Sequence, residues 1–452
     1  VDRRADATEA LPVEQLLDLL DRVPLRPWRG RLVEVCGLVA RAVVPGCRVG
    51  ELVRLYLDGD ARSRGASPFV DAEVLGFRGP EATLMPLGRA EGLGPGTLAE
   101  PLGTSLTVSC GPALLGRILD GLGRPLDHRG PLNGDEARRV EGPPPAALGR
   151  QRVTCPLSTG LRVLDALTTF GEGQRLGLFA GAGVGKSTLL GQLARQCDAD
   201  VAVLALVGER GREVREFIED SLGPRGLARS VVVCATSDAS AIERLHAANV
   251  ATTVAEYFRD RGQRVLLLVD SLTRWARARR EIGLAAGEPP ARQGFPPSVF
   301  AELPRLLERT GPGDGRGSIT AVYSVLVQGG ELDDPVADEL RGLLDGHILL
   351  DRGLAERGRF PAVDPVASLS RLADRLVSPE VRQAARTIRA RLAAYEERRD
   401  LVVLGAYVRG SDVATDRAID QHPELERFLC QPPDEHGALE DTHQRLLALA
   451  RA

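Results

Sequence analysis

The chain has 452 residues, 43% of them hydrophobic and 27% charged, with a net charge of −4. That length exceeds one ordinary domain, the composition is that of a globular protein, and the balance of charge argues against a general nucleic-acid binder. No stretch approaches the roughly eighteen uninterrupted apolar residues of a membrane helix, and residues 1–10 are too polar for a signal peptide. Seven scattered cysteines without a CxxC pair read as reduced thiols in a cytosolic protein, not as a disulfide framework or zinc site.

In chain order, Leu11, Leu16, Leu17, Leu19, Leu20 and Val23 make one apolar helical face, closed by Pro24 and Pro27. Between residues 28 and 93 the pattern turns to short β-rich runs at 32–39, 52–57, 70–77 and 82–86, separated by Gly, Pro and Asp. Such punctuation predicts a small β-barrel. From 94 to 375 strands alternate with helices. Near-continuous apolar runs at 176–180, 201–207, 230–234, 265–269 and 319–327 predict an α/β domain whose parallel sheet is covered on both faces. After Ser378-Pro379, a helix-start signal, residues 376–452 read as helical, with Val381, Ala384, Ile388, Leu392 and Tyr395 on one face.

The most informative segment is Gly181-Ala182-Gly183-Val184-Gly185-Lys186-Ser187-Thr188, which follows a predicted strand and opens a predicted helix. Glycines let the backbone wrap phosphate oxygens, and the helix N-terminus adds a favourable dipole. In this phosphate-loop reading Lys186 neutralises the β- and γ-phosphates of ATP and the Ser187 hydroxyl holds Mg²⁺. Of 58 basic residues Lys186 is the only lysine. Where a phosphate must be gripped closely, a planar guanidinium cannot replace a compact ammonium. The usual pattern begins with glycine where this chain has Ala180, a cost of ~1 kcal/mol if the turn there were left-handed.

Asp270 ends the apolar run 264–269, at the strand end where α/β sheets bind ligands. It is a candidate to hold Mg²⁺, a helix cap being the alternative. Glu209, past another strand end, could polarise the attacking water. From spacing alone a solvated loop glutamate is the better reading.

Taken together, Gly177-Leu178-Phe179-Ala180 and the loop through Leu190 resemble the type III secretion and flagellar export ATPases, relatives of the rotary ATP synthase catalytic subunit. Ala180 is usual in that branch. The likeness continues through 207–213, 269–274, Gly294-Phe295-Pro296-Pro297-Ser298-Val299-Phe300, Asp334-Pro335-Val336-Ala337-Asp338-Glu339 and Phe360-Pro361-Ala362-Val363-Asp364-Pro365. It also covers Gly50-Glu51-Leu52, Met85-Pro86-Leu87-Gly88, Gly405-Ala406-Tyr407 and Phe428-Leu429-Cys430-Gln431, and so spans about residue 28 to the end.

The resemblance implies an N-terminal tail and amphipathic helix (1–27), a barrel (28–93), a RecA-like ATPase domain (94–375) and a C-terminal helical domain (376–452). It makes Glu209 the catalytic carboxylate, with Arg210 beside it. Arg371 becomes the arginine finger given to the adjacent subunit's ATP, Phe360 the aromatic on adenine, and Tyr407 a candidate to complete that pocket. It further implies a homohexamer at the cytoplasmic face of the bacterial inner membrane. Its partners there would be a central stalk protein, a peripheral regulator or stator, chaperone–effector complexes and the inner-membrane export gate, with no nucleic acid. Residues 29–37 and 43–52 look more like the injectisome ATPase than the flagellar one, which stays the alternative. A non-catalytic ring subunit would lack Glu209. A Rho-like RNA translocase would need a basic, aromatic N-terminal domain, and aromatics are only 4% of this chain.

Overall fold

A computed structural model describes residues 29–57, 68–315, 317–327 and 334–452. The expected amphipathic helix at 11–23 lies outside them. The chain divides into two compact units, Val1–Ser105 and Leu106–Ala452.

In the first unit β1 (Gly30–Cys36), β2 (Val39–Val43), β3 (Leu52–Tyr56), β4 (Phe69–Arg78), β5 (Glu81–Pro86) and β6 (Leu98–Pro101) close a barrel in the order β1-β2-β5-β4-β3-β6. Alternate side chains such as Leu32, Val53, Leu55, Val74 and Leu84 fill its core. The single run expected at 32–39 is two strands, because Gly37 at φ 59° reverses the chain. The expected boundary at residue 93 also falls short. Strand β6 pairs with both β1 and β3, and without it two edges would be left open. Four residues, Leu-Ala-Glu-Pro, are too few to show a strand period.

In the second unit β7 (Thr107–Cys110) and β9 (Glu136–Arg139) pair on either side of β8 (Ile118–Asp120) in sequence, and β10 (Pro156–Leu157) pairs with β11 (Phe170–Gly171). The large sheet is built from β12 (Arg175–Ala180), β13 (Val201–Glu209), β14 (Ser230–Thr236), β15 (Arg264–Asp270), β17 (Ser318–Leu326), β18 (Gly346–Leu350) and β19 (Val363–Ser370). Its order is β19-β18-β12-β17-β15-β13-β14-β8, with β16 (Gly311–Pro312) added beside β17. All ladders from β18 to β8 are parallel, as the apolar runs predict, but the β18–β19 and β16–β17 pairs are antiparallel. Helix Ala241–Asp260, opened by a Ser240–Glu243 capping box, buries its apolar residues against this sheet.

Helices Pro379–Val403, Val413–Leu429 and Leu439–Arg451 complete the unit. The predicted face of the first is buried at Val381, Ala384, Ile388 and Leu392 and shares one core with Leu425, Phe428 and Leu446. Tyr395, expected on that face, stacks instead on His422 with ring centroids 3.5 Å apart.

Candidate active site

The site forms where β12, β13 and β15 end. Residues 181–185 leave β12 and wind into helix Lys186–Gln196, with Gly183 at φ 77° and Gly185, the N-cap, at φ 89°. Only glycine takes such angles without strain. Ala180 is not part of that turn. It lies in β12, paired to Leu326 and Leu350, so the strand accepts its methyl group.

Strand order then brings distant acids together. Asp270 at the end of β15 lies two strands from β12, and β13 beside it delivers Glu209. Lys186 Nζ is bonded to Asp270 Oδ1 and stands 3.6 Å from Glu209 Oε1. All three side chains are largely buried, at 12%, 5% and 13% exposure. Burial pushes the Glu209 carboxyl above its ordinary range; the Lys186 ammonium opposes that shift and the Asp270 charge adds to it. Ser187, Glu209, Glu213 and Asp270 line a cavity of about 300 Å³.

Two neighbours were not assigned roles by sequence reasoning. Arg274 Nη2 lies 3.3 Å from Glu209 Oε2. Its stem packs against Gly208, where an added Cβ would come within 2.9 Å of Arg274 Cδ at a φ of 68°. Ser324 Oγ, in β17 between the strands of the phosphate loop and Asp270, donates to Asp270 Oδ1 at 2.5 Å. The sequence signals for Arg274 were its place four residues after Asp270 and its inclusion in the family-like segment 269–274; for Ser324 it was a hydroxyl in an apolar strand.

The remaining expected residues divide. Phe360 is 47% exposed, and its ring would lie 3.7 Å from a Cβ at Gly185, so it stands beside the phosphate loop. Tyr407 is not joined to it. Its hydroxyl donates to Asp416 Oδ1 at 3.0 Å and Asp412 O at 3.2 Å, which ties it to the start of helix Val413–Leu429. The C-terminal residue that reaches Phe360 is Gln431, whose N–H donates to the Phe360 carbonyl at 2.9 Å.

Arg210 is 72% exposed and pairs with Glu213 at 3.3 Å, outside the Lys186 cluster. Arg371 is exposed, and among the described residues its side chain donates to the Arg341 carbonyl alone. Strand register explains its isolation. Ser370 pairs with Gly346, at the start of β18, whereas the loop end of β12 pairs with Leu350, at its far end. At ~3.3 Å per residue the sheet holds Arg371 more than about 10 Å along the strands from its own phosphate loop.

The residues fit a nucleotide and its metal. The Lys186 ammonium is held by carboxylate oxygens, which stand in for phosphate oxygens. Ser187 and Asp270 offer the hard oxygen donors Mg²⁺ prefers. No group of three His, Cys, Asp or Glu among the described residues could hold a metal alone. Mg²⁺ bound partly through substrate phosphates needs none.

A phosphate loop opening a helix, with carboxylates from two further strand ends converging on its lysine, defines a P-loop nucleoside triphosphatase on a RecA-like domain. Residues 160–370 match the ATP synthase alpha/beta family, nucleotide-binding domain, and residues 377–448 match the T3SS EscN ATPase C-terminal domain. The chain is 52% identical over 420 residues to a type 3 secretion system ATPase of Xanthomonas euvesicatoria, covering 93% of each. It is 46% identical to a flagellum-specific ATP synthase of Bacillus subtilis, covering 97% of this chain and 99% of that one. The solved structure of the assembled ATPase EscN of the enteropathogenic E. coli type III secretion system matches with a TM-score of 0.86 at 41% identity, over 93% of this chain and all of that one. This chain belongs to the type 3 secretion system ATPase family, and it is an ATP-hydrolysing enzyme.

Proposed function

We propose that the chain works as a homohexameric ring that hydrolyses ATP to release and unfold chaperone-bound substrates for a bacterial type III secretion apparatus. The carrying observation is the buried cluster in which the only lysine meets Glu209 and Asp270 at the phosphate loop.

In this reading the Lys186 ammonium leaves the two carboxylates for the β- and γ-phosphates of ATP, gripped by the backbone of Gly181 to Gly185 and by Ser187 and Thr188. Glu209, freed of that cation and held by Arg274, accepts a hydrogen bond from the attacking water and orients it. Ser187 and Asp270 would hold Mg²⁺, which would supply positive charge against that of the phosphates. Phe360 stacks on the adenine. Arg371 serves the ATP of the neighbouring subunit, since the register of β18 and β19 keeps it from its own loop. Arg210 would have to turn inward from Glu213 to contribute.

The ring and a central stalk partner are supported by EscN, solved both assembled and in complex with its central stalk EscO. A regulator or stator, chaperone–effector complexes and the inner-membrane export gate complete the proposed partners. The protein would act as a peripheral component on the cytoplasmic side, and no helix among the described residues is long and apolar enough to cross a membrane. The flagellar export ATPase is the second reading, since flagellar relatives match at 46–48% identity. Genes beside this one, for needle and translocator or for rod and hook, separate the two.

The direct test is ATP turnover against protein concentration, with and without single-stranded RNA. Activity should rise steeply as rings form and ignore the RNA. Stimulation by RNA, or turnover independent of concentration, would count against the proposal.

A further inference from the structure

Asp270 Oδ1 accepts two bonds, from Lys186 Nζ and from Ser324 Oγ at 2.5 Å. The donors differ in kind. Lys186 opens a helix on a glycine hinge and carries the charge that bound phosphates would claim. Ser324 is fully buried in β17, with β12 on one side and β15 on the other, Leu178 being its partner in β12. When the ammonium turns to the phosphates, Oδ1 loses one donor. A strand cannot turn, so the serine hydroxyl stays.

We infer that Ser324 is a positioning residue: it holds Asp270 Oδ1 after Lys186 has moved to the phosphates of bound ATP, and so aims the other carboxylate oxygen at the magnesium side. The inference rests on the proposed role of Asp270 in holding Mg²⁺. Two observations support it. No donor among the described residues is bonded to Asp270 Oδ2, which leaves that oxygen for a ligand. The strand around Ser324 is otherwise apolar, Val322, Tyr323, Val325 and Leu326 being its neighbours. A hydroxyl there needs a buried acceptor, and it takes the carboxylate at the end of the neighbouring strand β15. Partners that orient a metal-side carboxylate are worth about 10–100-fold in metal affinity or activity.

The test compares Ser324→Ala, Ser324→Thr and Asp270→Asn in the full-length protein. It reads turnover against Mg²⁺ concentration, binding of a fluorescent ATP analogue in Mg²⁺ and in EDTA, and thermal unfolding. Ser324→Ala should bind the analogue in EDTA as the parent does, yet need more Mg²⁺ and turn over about 10–100-fold more slowly. Ser324→Thr should restore both, and Ser324→Ala should add nothing to Asp270→Asn. If alanine destabilises the sheet, Ser324→Cys, with a weaker donor in similar volume, should fall between threonine and the magnesium-impaired state. Parental magnesium dependence in a folded Ser324→Ala or Ser324→Cys, with Asp270→Asn impaired, overturns the inference and leaves the site intact. Parental magnesium dependence in Asp270→Asn overturns the role of Asp270 itself, and with it that of Ser324.

Discussion

The two ends of the central sheet present opposite kinds of cation. At the carboxyl end Lys186 is largely buried and gripped by carboxylates from two other strands. At the amino end of β18, beside the close of β19, Arg371 is exposed, and among the described residues its side chain is held by one carbonyl. The buried cation has its counter-charges within the chain until a phosphate replaces them. One left exposed, on a strand end remote from its own phosphate loop, is free to serve a site on another copy in the proposed ring. On the proposed reading of Arg371, the difference teaches that one subunit would hold half of a working site and that heterologous contacts would supply the rest.

The largest effects should come from the crowded end. Lys186→Ala and Glu209→Gln should each abolish measurable turnover but part company in binding. Loss of Lys186 weakens nucleotide affinity, whereas Glu209→Gln traps bound ATP because only water orientation is impaired. Equilibrium binding beside single-turnover kinetics reads this, and near-parental turnover by Glu209→Gln would falsify its assignment.

The exposed end is next. Arg371→Ala should cost ~10³–10⁵-fold in rate, the range of arginine fingers. Mixing Lys186→Ala with Arg371→Ala subunits sharpens the contrast, since about a quarter of random interfaces would carry both groups. Partial recovery is expected. Continued inactivity in rings shown to be mixed would place Arg371 in its own subunit's site.

The burial of Glu209 makes a prediction about pH. Its carboxyl is held above the ordinary range by burial, so its ionised fraction falls as the pH drops through that raised value. The phosphates of bound ATP would raise it further. The acid limb of kcat should therefore lie above the usual glutamate range of about 4.3, and it should vanish from any residual activity of Glu209→Gln. A limb at the ordinary position would show that the titrating group is another.

Smaller still is Phe360→Ala. A stacked base is worth ~1–3 kcal/mol, so KM for ATP should rise with kcat less affected. Other purine triphosphates should be accepted. A lowered Tm with unchanged KM would make Phe360 a packing residue. Arg210→Ala should cost least, because the side chain faces outward onto Glu213. A loss equal to that of Glu209→Gln would show that it swings into the site.

The sequence by itself determined what depends on local backbone demand. Glycines in 181–185 let the backbone wrap a phosphate, near-continuous apolar runs read as buried strands, and an acid closing such a run falls at a strand end. Hence Lys186, Ser187 and Asp270 were legible as a phosphate loop and a strand-end acid, whereas Glu209 gained its role only from the family resemblance. Side-chain meetings across strands were not readable, because they depend on strand order. The insertion of β17 between β12 and β15 put Ser324 on Asp270. The placement of β13 beside β15 put Arg274 on Glu209. The same limit hid β6, which only barrel closure requires, and the packing of the C-terminal helices, which ties the Tyr407 hydroxyl to Asp416 and brings the Gln431 backbone N–H to the Phe360 carbonyl. Period and composition report how each segment meets its own solvent and backbone needs. Only the tertiary structure decides which segments become neighbours, since that choice minimises exposed edges and unpaired buried groups over the whole molecule.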